Sequence, residues 1–458
     1  MVILVVGILG FFQPKKPFFS MNDFTPYIER DRKNFWIVLF IFFSIFINSF
    51  VFFKEPFEFY IGYLIYIFLL PGFIIKYKFN RNLIFIFLTL FLVGIVGILT
   101  GNNTSSQFLK VYLGVFFSYL FYYYVVLELD FDIEQLFKWY LKGAYFASII
   151  GIFQFISFLL NFKPGFRLFY LFNKWGIAPG GTFGIRINSV FSEPTHLGAA
   201  LSAAFFVSVY NLFNSKTFYL SKFQSLVIII VYLLSFSGLG QLGVFLTLIF
   251  ILISYGFIRY LFIIIPICII LFNFLFNNVS EFRSRYEGLI SMYTTGKFEL
   301  GKTHGSSFIL YNNYHVALEN FENNFLFGSG LGSHLIAFDK YSLAKDFKTV
   351  GFNLNGADAN SMLLRLISET GIFGVLIFLV IIFKCYVKRD VENLSYHWLI
   401  SNALLILILL NLFRQGHYFL NGFPFFVILY YFNSVSYKNY FIEEQPILVE
   451  TENQRVES

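Results

Sequence analysis

An arginine, a glutamate and a histidine fall within eleven residues in the run Arg186-Ile-Asn-Ser-Val-Phe-Ser-Glu193-Pro194-Thr-His196. A guanidinium is planar, permanently charged and able to grip phosphate oxygens in pairs. A carboxylate or imidazole can take a proton from a hydroxyl. Pro194 suits a first helical turn, where its missing N–H costs nothing. Glu193 is therefore expected at the positive end of that helix and His196 just inside it. The plainer alternative is a capped helix start carrying a surface acid. A second set of polar residues follows in Arg283, Arg285, His304, His315 and His334. Phe308, Tyr311, His315, Leu318 and Phe325 recur among Asn312, Asn313, Glu319 and Asn323, a pattern that predicts an amphipathic helix with His315 on its apolar face. A histidine so placed can equally be an ordinary core residue. In the third set, Arg365 and Glu369 are four residues apart and share a helical face. They form either a buried ion pair complete in itself or the lining of a polar cavity.

No metal or cofactor is expected. Cys268 and Cys385 lie in or at the end of apolar runs, and no histidine pair has the spacing of a helical zinc site.

The elements that must position these residues are apolar. Of 458 residues 57% are hydrophobic and only 13% charged, where soluble domains carry roughly 25% charged residues. The net charge of +7 reflects basic loops beside a lipid bilayer rather than nucleic acid binding. Apolar runs occupy 35–53, 57–76, 82–99, 108–127, 143–160, 196–213, 224–238, 240–256, 260–276, 361–383, 398–413 and 418–434. Most have the ~20 residues that cross a hydrocarbon core. The fold class is thus all-α: a polytopic membrane protein with about 12 transmembrane helices and one large extracytoplasmic loop between spans 9 and 10. The seventh and eighth runs meet at Ser235-Phe-Ser-Gly-Leu-Gly-Gln241 and are read as a Gly-broken hairpin of short or re-entrant helices. Residues 1–11 are apolar but too short to span, and no cleaved signal peptide is expected.

Orientation follows from Lys and Arg. With the N-terminus inside, 18 of 33 basic residues fall on inside segments, including Arg30, Arg32, Lys33, Lys76, Lys78, Arg81, Lys384, Lys388 and Arg389. The layout is then 1–34 a cytoplasmic N-terminal segment, 35–276 spans 1–9 with an outer loop at 161–195, and 277–360 the large outer loop. Spans 10–12 occupy 361–434, and 435–458 is a cytoplasmic acidic tail. Four outside cations, Lys163, Arg167, Lys174 and Arg186, run against this charge rule. Phe166–Trp175 is expected to be helical, with Arg167 and Lys174 on one face. It is either an interfacial helix with snorkelling cations or a cationic rim for an anionic lipid-linked substrate.

Three motifs in this order resemble the O-antigen polymerase and O-antigen ligase superfamily. They are Arg186 followed by Phe191-Ser-Glu193-Pro194, the run Ala317–Asn324 leading to Gly328-Ser-Gly330-Leu-Gly332, and Asn360-Ser361 followed, after nine intervening residues, by Gly371-Ile-Phe-Gly374. Asn360 stands where ligases carry a functionally important histidine, and Phe325 replaces a usual proline. The resemblance implies a bacterial inner-membrane enzyme working at the periplasmic face on glycans linked to undecaprenyl diphosphate. It implies inverting, metal-independent glycosyl transfer with arginines on the lipid diphosphate. Asp130-Phe-Asp132 has the form of a metal-binding DxD, but it lies in an acidic connector on the expected cytoplasmic side and is read as structural.

A sugar hydroxyl must attack an anomeric carbon while a diphosphate departs. Arg186 and Arg283 are the first choices for diphosphate contact, with Arg285, Arg365, Arg167 and Asn360 further substrate-binding candidates. Glu193, His196 and His315 are the candidate bases. A polymerase joining repeat units is the favoured reading, and a chain-length regulator is the protein partner such an enzyme would admit. A ligase moving finished glycan to lipid A core or protein is the alternative. A polysaccharide flippase is a third reading, disfavoured because no internal repeat is visible.

Overall fold

The computed structural model describes residues 39, 42–53, 58–77, 80–180, 183–257, 261–278, 280–295, 305–344, 354–389 and 396–438. The expected N-terminal segment and nearly all of the acidic tail fall outside these residues, as does His304.

The described chain is almost wholly helical. In order it forms α1 (Ile61–Lys76), α2 (Arg81–Leu99), α3 (Ser105–Glu128), α4 (Ile133–Leu159), α5 (Pro194–Phe213), α6 (Lys222–Leu234) and α7 (Gly238–Ser254). Then come α8 (Leu261–Asn278), α9 (Ser280–Thr295), α10 (Gly305–Asn323), α11 (His334–Tyr341), α12 (Met362–Lys384) and α13 (His397–Arg414). A last helix, α14, spans 423–438. Two two-residue strands, β1 (Ala178–Pro179) and β2 (Ile185–Arg186), pair antiparallel between α4 and α5.

The boundaries follow local chemistry. Thr104, Asp132, Ser237 and Ser361 each accept a hydrogen bond from a first-turn N–H of α3, α4, α7 and α12. Ser221 and Gln224 form a reciprocal capping box at the start of α6. Pro194 occupies the first turn of α5 with Glu193 at the N-cap, as the sequence predicts.

Among the described residues, five helices are long and apolar enough to cross a membrane: α3, α4, α5, α12 and α13. Of the other expected spans, α1, α6 and α7 are shorter apolar helices. At 1.5 Å per residue the 16 residues of α1 reach only about 24 Å, short of a ~30 Å core. The region 277–360, expected as one long loop with a single amphipathic helix, contains α9, α10 and α11.

Helix α5 is the hub, packing on α6, α7 and α13, while α4 packs on α6 and α10 on α12. Its small residues Gly198, Ala199, Ala200, Ala203 and Ala204 are all buried, which allows the close approach.

The glycine-rich motif and the Gly371-Ile-Phe-Gly374 motif are two sides of one seam. Helix α12 breaks at Gly371, which adopts φ 61° and ψ −162°, backbone angles open in practice to glycine alone. The break exposes backbone groups that the glycine-rich turn satisfies: Gly330 N–H donates to the Glu369 carbonyl at 2.9 Å, and Ile372 N–H to the Phe325 carbonyl at 2.9 Å. A Cβ on Gly371 would lie 2.6 Å from the Gly328 nitrogen. Asn320 adds side-chain bonds to Ser329 Oγ at 2.7 Å and to the Ser368 carbonyl at 2.8 Å. Asn103 reaches the Leu331 carbonyl at 2.9 Å, tying the turn to the start of α3 as well.

The stretch 166–175 is not the helix the sequence suggests. A helical turn at Lys163–Phe166 is followed by a 3-10 turn at Leu168–Tyr170, separated by Arg167 at φ −117°, ψ 71°. Asn173 then bonds both the N–H and the carbonyl of Val51, and Lys174 N–H donates to the Ser49 carbonyl at 2.9 Å. These contacts with 49–51 outcompete the local periodicity. Phe325 is also outside its expected helix, which ends at Asn323, and it is half exposed.

Candidate active site

Four segments distant in sequence converge at one end of the bundle. They are 48–53 with 58–60, residues 173–180 and 183–196 leading into α5, the turn 355–361 before α12, and 415–418 after α13.

At the middle, His417 Nε2 lies 3.0 Å from Asp358 Oδ2. A carboxylate can only accept, so the ring proton of that contact belongs to Nε2 and the remaining lone pair to Nδ1. Asp358 Oδ1 accepts from the Asn360 N–H at 2.9 Å. Ala359 and Asn360, at φ 57° and 53°, turn the chain back to make this bond. Burial would push the Asp358 carboxyl up, but the charge and hydrogen bond of His417, the Asn360 N–H and the charge of Arg365 outweigh it and hold it near about 2.

Arg365 holds the segment that carries His417. Its Nε lies 2.9 Å from Glu369 Oε1, its Nη1 donates to the Gly416 carbonyl at 2.8 Å, and its guanidinium covers the Tyr418 ring at 4.5 Å. Gly416 passes so close to Asp358 that a Cβ would collide with the Asp358 carbonyl oxygen. Residues 416, 417 and 418 are therefore each fixed to the start of α12. The expected Arg365–Glu369 pair is present, but both side chains are buried, at 5% and 0% exposure. Nε and Nη1 of the guanidinium are engaged by protein groups, so the expected substrate contact of Arg365 competes with these bonds.

His196 sits beside this centre, within the electrostatic reach of His417, Lys174, Asp358 and Glu58. Asn48 Oδ1 accepts from the Ser192 N–H at 3.0 Å, so its amide nitrogen is the group that donates to His196 Nδ1 at 2.6 Å. Ser192 Oγ adds a second contact to the same Nδ1 at 2.9 Å. The only basic lone pair of the ring is thus used internally and Nε2 carries the proton. A role for His196 as base would require these internal contacts to be given up. Nearby, Lys174 Nζ contacts Glu58 Oε2 at 2.5 Å and the Tyr60 hydroxyl at 2.7 Å, and Tyr60 also donates to Glu58.

The remaining candidates make local contacts of their own. Glu193 is exposed at the N-cap of α5 without a side-chain capping bond. His315 is 34% exposed with Nδ1 4.0 Å from Glu319, so it is not on the apolar face of α10 as expected; burial goes instead to Phe308, Asn312, Val316 and Asn320. Arg186 is half-buried in β2 opposite Ala178, at the head of the segment leading to Ser192 and His196. Arg167 lies over the Phe166 ring, its Nε buried without a hydrogen-bond partner. Arg283 uses Nε and Nη2 on the Phe276 and Asn277 carbonyls at 2.9 Å each, capping the end of α8. Arg285 is on α9, its side chain outside the described residues. Asn360 contributes its backbone N–H.

The sequence reading passed over Asp358, His417, Glu58 and Asn48 as site residues. Gly416-His417 in the short connection between the last two apolar runs, opposite an acid just before Asn360-Ser361, was the available signal.

The family model described as O-antigen ligase matches residues 223–379. The match takes in α6 to most of α12, and with them the seam, Asp358, Arg365 and Glu369, while Lys174, His196 and His417 lie outside it. The chain thus resembles the O-antigen polymerase and ligase superfamily, whose members are glycosyl-transferring membrane enzymes. No curated protein matches the sequence.

Proposed function

We propose that this chain is a surface-glycan polymerase, moving a growing glycan from its undecaprenyl diphosphate to the next lipid-linked repeat unit at the outer face of the bacterial inner membrane. The observation that carries the reading is the polar centre at one end of an apolar helix bundle, assembled partly from the segment that matches the O-antigen ligase family. Charged groups in an apolar helical protein are costly unless they work. Here Asp358, His417, Lys174 and Glu58 are partly exposed.

The chemistry is an inverting displacement without a metal. The diphosphate leaving group needs cations, for which Arg186 and Arg167, both in the connection between α4 and α5, are the first choices. Arg283 already caps a helix end and is the weaker choice. The acceptor hydroxyl needs a base within hydrogen-bond reach.

The description of the matched family favours a second reading, a ligase delivering finished glycan to lipid A core or protein. One experiment separates the two: the glycan length profile of a clean deletion strain beside its complemented parent. A single repeat unit on the final anchor supports the polymerase. Full-length glycan stranded on undecaprenyl diphosphate supports the ligase, and unaltered glycan contradicts both.

A further inference from the structure

We infer that His417 is the base that deprotonates the acceptor hydroxyl, with Asp358 as its positioning residue. This rests on the glycosyl-transfer reading above.

Among the described histidines, His417 alone combines a carboxylate partner within hydrogen-bond distance with partial exposure and a lone pair not engaged by the protein. His196 has its lone pair taken by two donors. His334 is 0% exposed. It faces Asn313 Oδ1 at 3.1 Å, and because the Asn313 amide nitrogen donates to the Ile309 and Leu354 carbonyls, His334 Nε2 is the donor and its lone pair is enclosed. His397 contacts Asn433 at the opposite end of α13. His315 is 4.0 Å from Glu319, beyond a hydrogen bond. His417 is 35% exposed and 3.0 Å from Asp358, and among the described residues no hydrogen bond to its Nδ1 is present. A base oriented by a carboxylate is one of the recurring arrangements for activating a hydroxyl, and here that carboxylate is fixed by a backbone N–H. The Asn360 N–H holds Asp358, and the imidazole arrives from another part of the chain.

The step balances as follows. The acceptor O–H bond breaks and its proton passes to His417 Nδ1. The freed oxygen pair forms the bond to the anomeric carbon. The bond from that carbon to the diphosphate oxygen breaks, and its electrons leave with the lipid diphosphate. Asp358 stabilises the imidazolium, which returns its proton to water at its exposed edge. Glu58, Tyr60, Lys174, His196, Arg365, Glu369 and Tyr418 are other charged or titratable groups of the centre.

The test uses the full chain in lipid vesicles with lipid-diphosphate-linked repeat units from the deletion strain, reading lipid diphosphate released and glycan lengthened. His417→Ala is expected to lower kcat by at least about 100-fold at unchanged abundance and thermal stability, with added imidazole restoring part of it. Asp358→Asn is expected to lower kcat while leaving KM in place. Wild-type turnover in His417→Ala overturns the inference, as does a loss that imidazole does not rescue and that appears in KM. If His417→Ala does not accumulate, His417→Gln, whose amide can keep the Asp358 contact, carries the same test: loss of kcat supports the base and full turnover overturns it. A wild-type protein that releases no lipid diphosphate overturns the glycosyl-transfer reading, and this inference with it.

Discussion

The seam and the charged centre meet on the first two turns of α12 yet are built from different materials. The seam, 325–330 against 368–372, is backbone, serine and asparagine: neutral groups whose hydrogen bonds are satisfied within the fold. The centre, 355–361 against 416–418, is carboxylate, imidazole and guanidinium, and part of it reaches solvent. Glu369 belongs to both, its carbonyl in the seam and its carboxylate on Arg365. The difference teaches a division of labour. Neutral bonds set where α12 stands, and charges set what hangs from it.

If that division is right, the two regions fail differently when altered. The largest effect is expected for Arg365→Met, which strands the Glu369 carboxylate in the interior and should cost about 3–5 kcal/mol, read as a fall in abundance and in thermal midpoint. Adding Glu369→Leu removes the stranded charge and should recover most of the stability, but not activity, because nothing then holds the Gly416 carbonyl. Recovery of both would break the comparison by making Arg365 a stability device only.

Gly371→Ala places a side chain at φ 61° against the Gly328 backbone. A cost of about 1–3 kcal/mol is expected, visible in the thermal midpoint, with the activity of the remaining folded protein retained. Asn320→Ala, which removes a buried donor shared by Ser329 and Ser368, should cost about 1–2 kcal/mol with the same preserved turnover per folded molecule. Lost turnover in a folded Asn320→Ala protein would mean that the seam takes part in function directly.

The smallest effect concerns pH. Burial lowers the His334 imidazole from 6.5 to about 3, and the nearby Arg365 adds to this while Asp358 opposes it. The unfolded segment binds a proton below pH 6.5 that the folded one refuses until about pH 3. Local stability of α11 should therefore fall as pH drops through that window. Hydrogen exchange of 334–341, corrected for its intrinsic pH dependence, checks this, and His334→Gln should abolish the dependence.

What the sequence made legible was local. Arg365 and Glu369 on one face, Pro194 opening α5 with Glu193 at its cap, and the break between α6 and α7 all rest on spacings of a few residues, which helix geometry converts directly into positions. The Phe166–Trp175 helix was misread because its competitor, Asn173 bound to Val51, lies far away in sequence. The pairing of Asp358 with His417 was invisible for the same reason: it depends on how α12 and α13 register against one another. The type and place of His196 could be read from the sequence, but its contacts at Nδ1 with Asn48 and Ser192 could not, because Asn48 lies far away in the chain.

The most direct test of the central claim is a single-turnover reaction of the purified chain in vesicles with lipid-diphosphate-linked repeat units. Glycosyl transfer predicts one lipid diphosphate released for every new glycosidic bond, with the product ladder lengthening in step. Vesicles that move the lipid-linked glycan across the bilayer, yet release no lipid diphosphate and form no longer product, would contradict it.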